Sequence, residues 1–134
     1  MERQKVVAEG AGAVAVAAVM FHKLPVEGKK VVCLVSGGNI DVNTLNRVIT
    51  RGLAKSGRAY TFKIELFDKP GQLAGVMNVV AAEGGNVISV THERINTTTE
   101  INGCTISLEL ETRDSAHIEH LRQALIDAQF HVLN

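Results

Sequence analysis

The chain has 134 residues, of which 46% are apolar and 21% charged, and its 14 Lys and Arg balance its 14 Asp and Glu. Such a composition gives a folded globular chain, one domain or a small domain with a fragment of another, and excludes disorder. The balance hides a step: residues 1–59 carry nine basic against four acidic side chains and residues 60–134 five against ten, so a boundary is expected near residues 56–58, dividing the chain into regions 1–58 and 59–134.

Residues 8–22 are rich in Ala and Val, with apolar side chains on every side, which predicts a helix buried all round. Its apolar run is too short to span a membrane and no polar cleavage region follows it, so neither a membrane span nor a signal peptide is expected. Pro25 and Gly28 end that helix. Residues 30–35 form a continuous apolar run of strand length, the pattern of a strand covered on both faces as in a parallel sheet. Ser36-Gly37-Gly38-Asn39 breaks it. Asp41 and Asn43 offer capping oxygens, and Leu45, Val48, Ile49 and Leu53 recur at helical spacing until Gly52 and Gly57 weaken and stop the helix. Two helices and one doubly covered strand cannot enclose a core, so this region reads as the end of a larger α/β domain whose earlier part is missing.

The second region reads as complete. Phe62, Ile64 and Leu66 alternate with Lys63 and Glu65, a strand with one wet face. Pro70 suits a first helical position, and Leu73, Val76, Met77, Val80 and Ala81 form an apolar stripe ending at Gly84-Gly85. Residues 87–94 are a second strand, with Ile88, Val90, His92 and Arg94 alternating along one face, and residues 96–102 a polar hairpin loop. Cys104, Ile106, Leu108 and Leu110 alternate with polar residues in the clearest strand of the chain. Asp114 or Ser115 caps a last helix carrying Ile118, Leu121 and Leu125, and residues 130–133 close with a short strand. Strand-helix-strand-strand-helix-strand predicts an α+β, ferredoxin-like sandwich. Cys33 and Cys104 both fall in apolar strand patterns and read as buried, reduced thiols of a cytoplasmic protein. His22, His117, His120 and His131 are scattered, and no second His or carboxylate stands at ligand spacing from His92, so no metal site is expected.

Ser36-Gly37-Gly38-Asn39 follows a predicted buried strand and precedes a helix, where backbone amides face a ligand or simply make a tight turn. The run Glu9-Gly10-Ala11-Gly12-Ala13, an apolar helix, and Val35-Ser36-Gly37-Gly38-Asn39-Ile40-Asp41 together resemble the end of the catalytic domain of pyridoxal-phosphate-dependent threonine dehydratases (threonine ammonia-lyases), the fold type II shared with serine racemase. In that family the serine matching Ser36 hydrogen-bonds the pyridine nitrogen and the glutamate matching Glu9 lies near the ring. The resemblance thus implies a cofactor-binding set of Glu9, Ser36, Gly37, Gly38 and Asn39. It continues through Arg51-Gly52-Leu53 and over essentially the whole chain. The family's imine-forming lysine, phosphate-cradling loop and metal-binding acidic residues match nothing here. The expectation is therefore pyridoxal phosphate in a full-length parent, none in this chain alone, no catalytic residue and no activity by itself.

The region after residue 59 is similar to an ACT domain, a regulatory amino-acid-binding module. Asp68-Lys69-Pro70-Gly71-Gln72-Leu73 matches its strand-to-helix turn, where glycine lets the backbone approach an α-amino acid and helix amides favour its carboxylate. The resemblance implies ligand contacts at Asp68, Pro70, Gly71, Gln72, Leu73 and Asn86, with Asp68 accepting from the ligand ammonium. Leu66 departs from members that place a polar contact there. Isoleucine, valine or threonine are the effectors the family suggests, and pairing of ACT modules implies a homo-oligomer. A working lyase completed by a second polypeptide is the competing reading. RNA-recognition domains share the strand order, but residues 104–110 lack an aromatic platform and the region is acidic, so nucleic acid is not an expected partner.

Overall fold

Alternation of apolar and polar residues from Ala59 onward builds a four-stranded antiparallel sheet in the computed structural model, which describes residues 6–94 and 101–134. The elements run α1 (Val14–Met20), α2 (Val42–Lys55), β1 (Ala59–Phe67), α3 (Gln72–Ala82), β2 (Asn86–Glu93), β3 (Gly103–Glu111), α4 (Ser115–Asp127) and β4 (His131–Val132). Strand order is β2-β3-β1-β4, the ferredoxin-like arrangement. Most of the predicted hairpin loop, up to residue 100, lies outside the described residues.

The register of β1 on β3 sets Phe62 opposite Leu108, Ile64 opposite Ile106 and Leu66 opposite Cys104, so every second residue of both strands faces the same way. Those side chains are 0–5% exposed and pack with Val76 and Val80 of α3 and Ile118, Leu121 and Leu125 of α4. Each fully buried side chain of this size contributes about 1.5–3 kcal/mol by leaving water. Leu73 and Met77 are only half-buried against this core, and Ala81 of the predicted stripe is exposed. The opposite face carries Lys63, Ser107 and Glu109, the polar side of a one-sided sheet. Asp114 caps α4, its carboxylate accepting from the His117 amide at 2.8 Å.

Two expectations change. β2 contains a bulge between Val87 and Ser89, so Ile88 does not share a face with Val90 and His92, which pair with Leu108 and Ile106. Pro70 is not the first helical residue: Gly71 caps α3 in the left-handed region, φ +91°, and Pro70 lies in the turn before it. Of the scattered histidines, His117 is 4% exposed. The Arg113 amide donates to its Nδ1 at 3.1 Å, so its Nε2–H is the donor to the Glu83 carbonyl at 2.9 Å, and the two bonds hold the ring in place.

The chain divides into two compact units, one ending at Ile49 and one beginning at Thr50, so the division falls within α2. In the first unit the predicted helix over 8–22 shortens to α1 and none of its residues is buried. The predicted strand over 30–35 forms no ladder, and Val32 is 98% exposed. A strand exists only through hydrogen bonds to neighbours, and the described residues of this unit offer none, whereas a helix closes its own. Cys33, predicted buried, is accordingly half-exposed. α2 forms as expected, with the Asp41 carboxylate accepting from the Thr44 amide at 2.9 Å, but none of its residues is buried either.

Candidate functional site

The turn between β1 and α3 is built by three backbone bonds. The amides of Asp68, Lys69 and Gln72 donate to the carbonyls of Asn102, Phe67 and Lys69 at 2.8, 2.8 and 3.3 Å. Gly71 then swings the chain into α3 with a backbone angle that a β-carbon would strain, and no side chain caps that helix end. A helix N-terminus of this kind presents amides and a positive dipole end to an anion. Gln72, with Leu66, Phe67, Gly103, Phe130 and His131, lines a cavity of about 280 Å³ beside the turn. At ~30 Å³ per water that is room for roughly nine waters, comparable to one small amino acid.

Asp68 does not cap α3. Its Oδ2 accepts from Arg94 Nε at 2.9 Å, a surface ion pair with side chains 39% and 63% exposed, worth about 0–1 kcal/mol. Its Oδ1 lies 4.0 Å from His92 Nε2. Cys104 completes the group: one ligand atom each from Asp68, His92 and Cys104 lie within 4.8 Å of one another. Sequence reading missed this constellation, because the residues are far apart along the chain. Only the exit of β1, the end of β2 and the start of β3 bring them together. Burial first, and the Asp68 charge second, push the Cys104 thiol up from its ordinary 9.0, with Arg94 opposing.

Asn86 is not near this turn. It opens β2 opposite Glu111, whose carboxylate accepts from its side chain at 2.7 Å, while Asp68 follows the Phe67–Gly103 pair at the other end of β3. Eight residues of strand separate the two ends by roughly 27 Å at ~3.4 Å each. The structure therefore groups Asp68, Pro70, Gly71, Gln72 and Leu73 and leaves Asn86 apart.

In the first unit, residues near Glu9 and residues 36–38 lie side by side. The Glu9 amide donates to the Gly37 carbonyl at 3.1 Å, Gly12 lies against the Ser36 backbone, and Gly37 adopts φ +72° beside the Glu9 carboxylate. Ser36, Gly37, Gly38 and Asn39 are exposed, however, and so are Lys23, Lys29 and Lys30. A solvated ammonium is not poised to form an imine, and an open turn cannot enclose an aromatic ring. These residues by themselves do not fit a pyridoxal phosphate site. Among the described residues no helix is long and apolar enough to cross a membrane.

The sequence is 48% identical over 132 residues to the L-threonine ammonia-lyase of Thermotoga maritima, which covers 98% of this chain and 33% of the relative. It is 40% identical over 121 residues to the L-threonine ammonia-lyase of Geobacter sulfurreducens, 90% of this chain and 30% of the relative. The biosynthetic L-threonine dehydratase of Staphylococcus aureus is 29% identical over 121 residues, 90% of this chain and 28% of the relative. The chain thus spans about a third of the length of the curated relatives it matches. The sequence model of the ACT domain matches residues 56–129, the stretch that holds β1, β2, β3, α3 and α4. With the family pattern covering more than half of its length and the ferredoxin-like sheet in place, the chain belongs to the ACT domain family.

Proposed function

We propose that residues 59–134 are the effector-binding module of a threonine-deaminating lyase and that residues 1–58 are the end of its catalytic domain. The first unit supports this by what it exposes: Val14, Met20, Phe21, Leu34 and Val42 are each more than half exposed, apolar surface that a larger domain would cover. The parent would hold pyridoxal phosphate, which supplies an electron sink for elimination; this chain contributes Glu9, Ser36, Gly37, Gly38 and Asn39 to that site and performs no elimination alone. Its two free cysteines suit a reducing, cytoplasmic setting.

The effector is a small aliphatic amino acid. Its carboxylate is held at the first turn of α3, its ammonium by Asp68, and its side chain at the cavity by Gln72 and Phe130. The observation that carries this reading is the turn from Asp68 to Leu73, where a left-handed glycine, an uncapped helix end and a carboxylate converge beside a cavity of amino-acid size. Asn86 joins from a second copy. β2 is an edge strand, exposed along nearly its whole length, and antiparallel pairing of two such edges brings Asn86 of one copy to the Glu93 end of the other, close to Asp68.

Complementation tests it. Asp68→Ala and Asn86→Ala chains should each lose the thermal shift given by isoleucine, valine or threonine. Mixed copies should regain it, because one site per heterodimer then has both residues intact. Recovery absent in the mixture, with both variants folded, would move Asn86 out of the site; a shift that survives Asp68→Ala would move the site away from the turn.

A further inference from the structure

We infer that Asp68, His92 and Cys104 form a binding site for a borderline-soft divalent cation of the zinc class, with a fourth position left for water or an outside ligand. One carboxylate, one imidazole and one thiol is a mixed O, N, S donor set, and that combination selects zinc-like ions over magnesium or calcium, which prefer oxygen alone. The three ligand atoms lie within 4.8 Å of one another. Zinc bonds of about 2.0–2.3 Å hold tetrahedral ligands roughly 3.3–3.8 Å apart, so closure asks for about 1 Å of side-chain movement.

Two further observations point at an ion rather than at an ordinary polar contact. His92 Nε2 is buried and has no hydrogen-bond partner among the described residues, although its side chain as a whole is 27% exposed. At 4.0 Å from Asp68 Oδ1 it is too far to donate, and a buried imidazole nitrogen without a partner is costly unless something fills that gap. Asp68 is also divided in its duties. Arg94 holds Oδ2 at 2.9 Å, which fixes the plane of the carboxylate and turns Oδ1, the oxygen on the His92 side, toward the cluster. That is the arrangement of a one-oxygen metal ligand whose other oxygen is held by an outer partner.

A Cys–His nucleophile is the competing use of these residues, and the geometry disfavours it. The same His92 nitrogen faces the carboxylate, so the ring is not strung between acid and thiol as a relay requires. Burial also keeps the Cys104 sulfur protonated, where a nucleophile needs the thiolate. A metal removes that obstacle, since coordination displaces the thiol proton into solvent as the sulfur–metal bond forms. Cys104 sits on β3, His92 on β2 and Asp68 at the exit of β1, so one ion would tie three strand ends together beneath the turn.

With Oδ2 on Arg94 and Oδ1 on the ion, Asp68 serves the cation or the effector ammonium in turn, and the test separates the two because it contains no amino acid. Cobalt(II) added to the full reduced chain should give one equivalent of a thiolate-to-cobalt charge-transfer band. The band should persist in Cys33→Ser, vanish in Cys104→Ser, and require at least tenfold more cobalt in His92→Gln, with zinc displacing cobalt wherever the band forms. His92→Gln alters a partly exposed side chain and keeps the test decisive even if Cys104→Ser fails to fold. No charge-transfer band in the folded chain, a band that follows Cys33, or undiminished affinity in His92→Gln would each overturn the site.

Discussion

Residues 59–132 bury twelve apolar side chains, whereas the described part of the first unit, richer still in Val, Ala and Leu, buries none. What separates the two regions is not a shortage of apolar residues in the first but whether the apolar runs find partners within the chain. In the second, each strand supplies the hydrogen bonds that its neighbour needs, and two amphipathic helices close one face. In the first, the helices form because their bonds are local, and residues 30–35 remain without a ladder because a strand's bonds are not. Apolar composition signals a tendency to be buried; a fold requires a surface to be buried against.

The largest test of this contrast is a pair of truncations. Leu108→Ala, at a fully buried position, should cost about 2–5 kcal/mol in denaturant unfolding, while Val32→Ala should stay within about 0.5 kcal/mol. Equal costs would mean that the first unit has a core after all. Next in size, His117→Ala should lower the stability of the second unit by about 1–3 kcal/mol, since it orphans the Arg113 amide and the Glu83 carbonyl. A change under half of the lower figure would show that water replaces both bonds.

Capping sharpens the same point at smaller scale. Asp114→Ala should cost about 1 kcal/mol of cooperative stability because α4 belongs to the core; Asp41→Ala, which removes the same kind of cap from α2, should reduce helical circular dichroism without moving the cooperative transition. If both move it equally, α2 unfolds together with the sheet. The smallest effect is alkaline and belongs to Cys104. Its thiol is held above the ordinary 9.0, so the folded chain keeps a proton that the unfolded chain releases. In metal-free buffer that contribution is therefore fully present below about pH 9 and lost as pH rises toward the folded value. Cys104→Val should flatten this alkaline decline and Cys33→Ser should not; the reverse result would place the titrating thiol in the first unit.

Much of the second region was legible in the sequence. Alternation in β1 and β3, the stripe of α3, the Asp114 cap and the turn at Asp68 to Leu73 are local patterns, and local patterns are set by backbone geometry over a few residues. The predicted strand at 30–35 failed for the opposite reason, since its pattern was sound but its partners were not supplied. The exposed Ser36 turn and half-exposed Cys33 follow from that single failure.

By itself, the sequence determined which residues of β1 and β3 turn inward and where α3 and α4 lie to within a residue or two, because periods of two and 3.6 residues are written residue by residue. The tertiary structure alone decided the bulge at Ile88, the Arg94 hold on Asp68, the separation of Asn86 from the turn, and the meeting of Asp68, His92 and Cys104. Each of these depends on strand register, a long-range choice made by packing one face of the whole sheet at once.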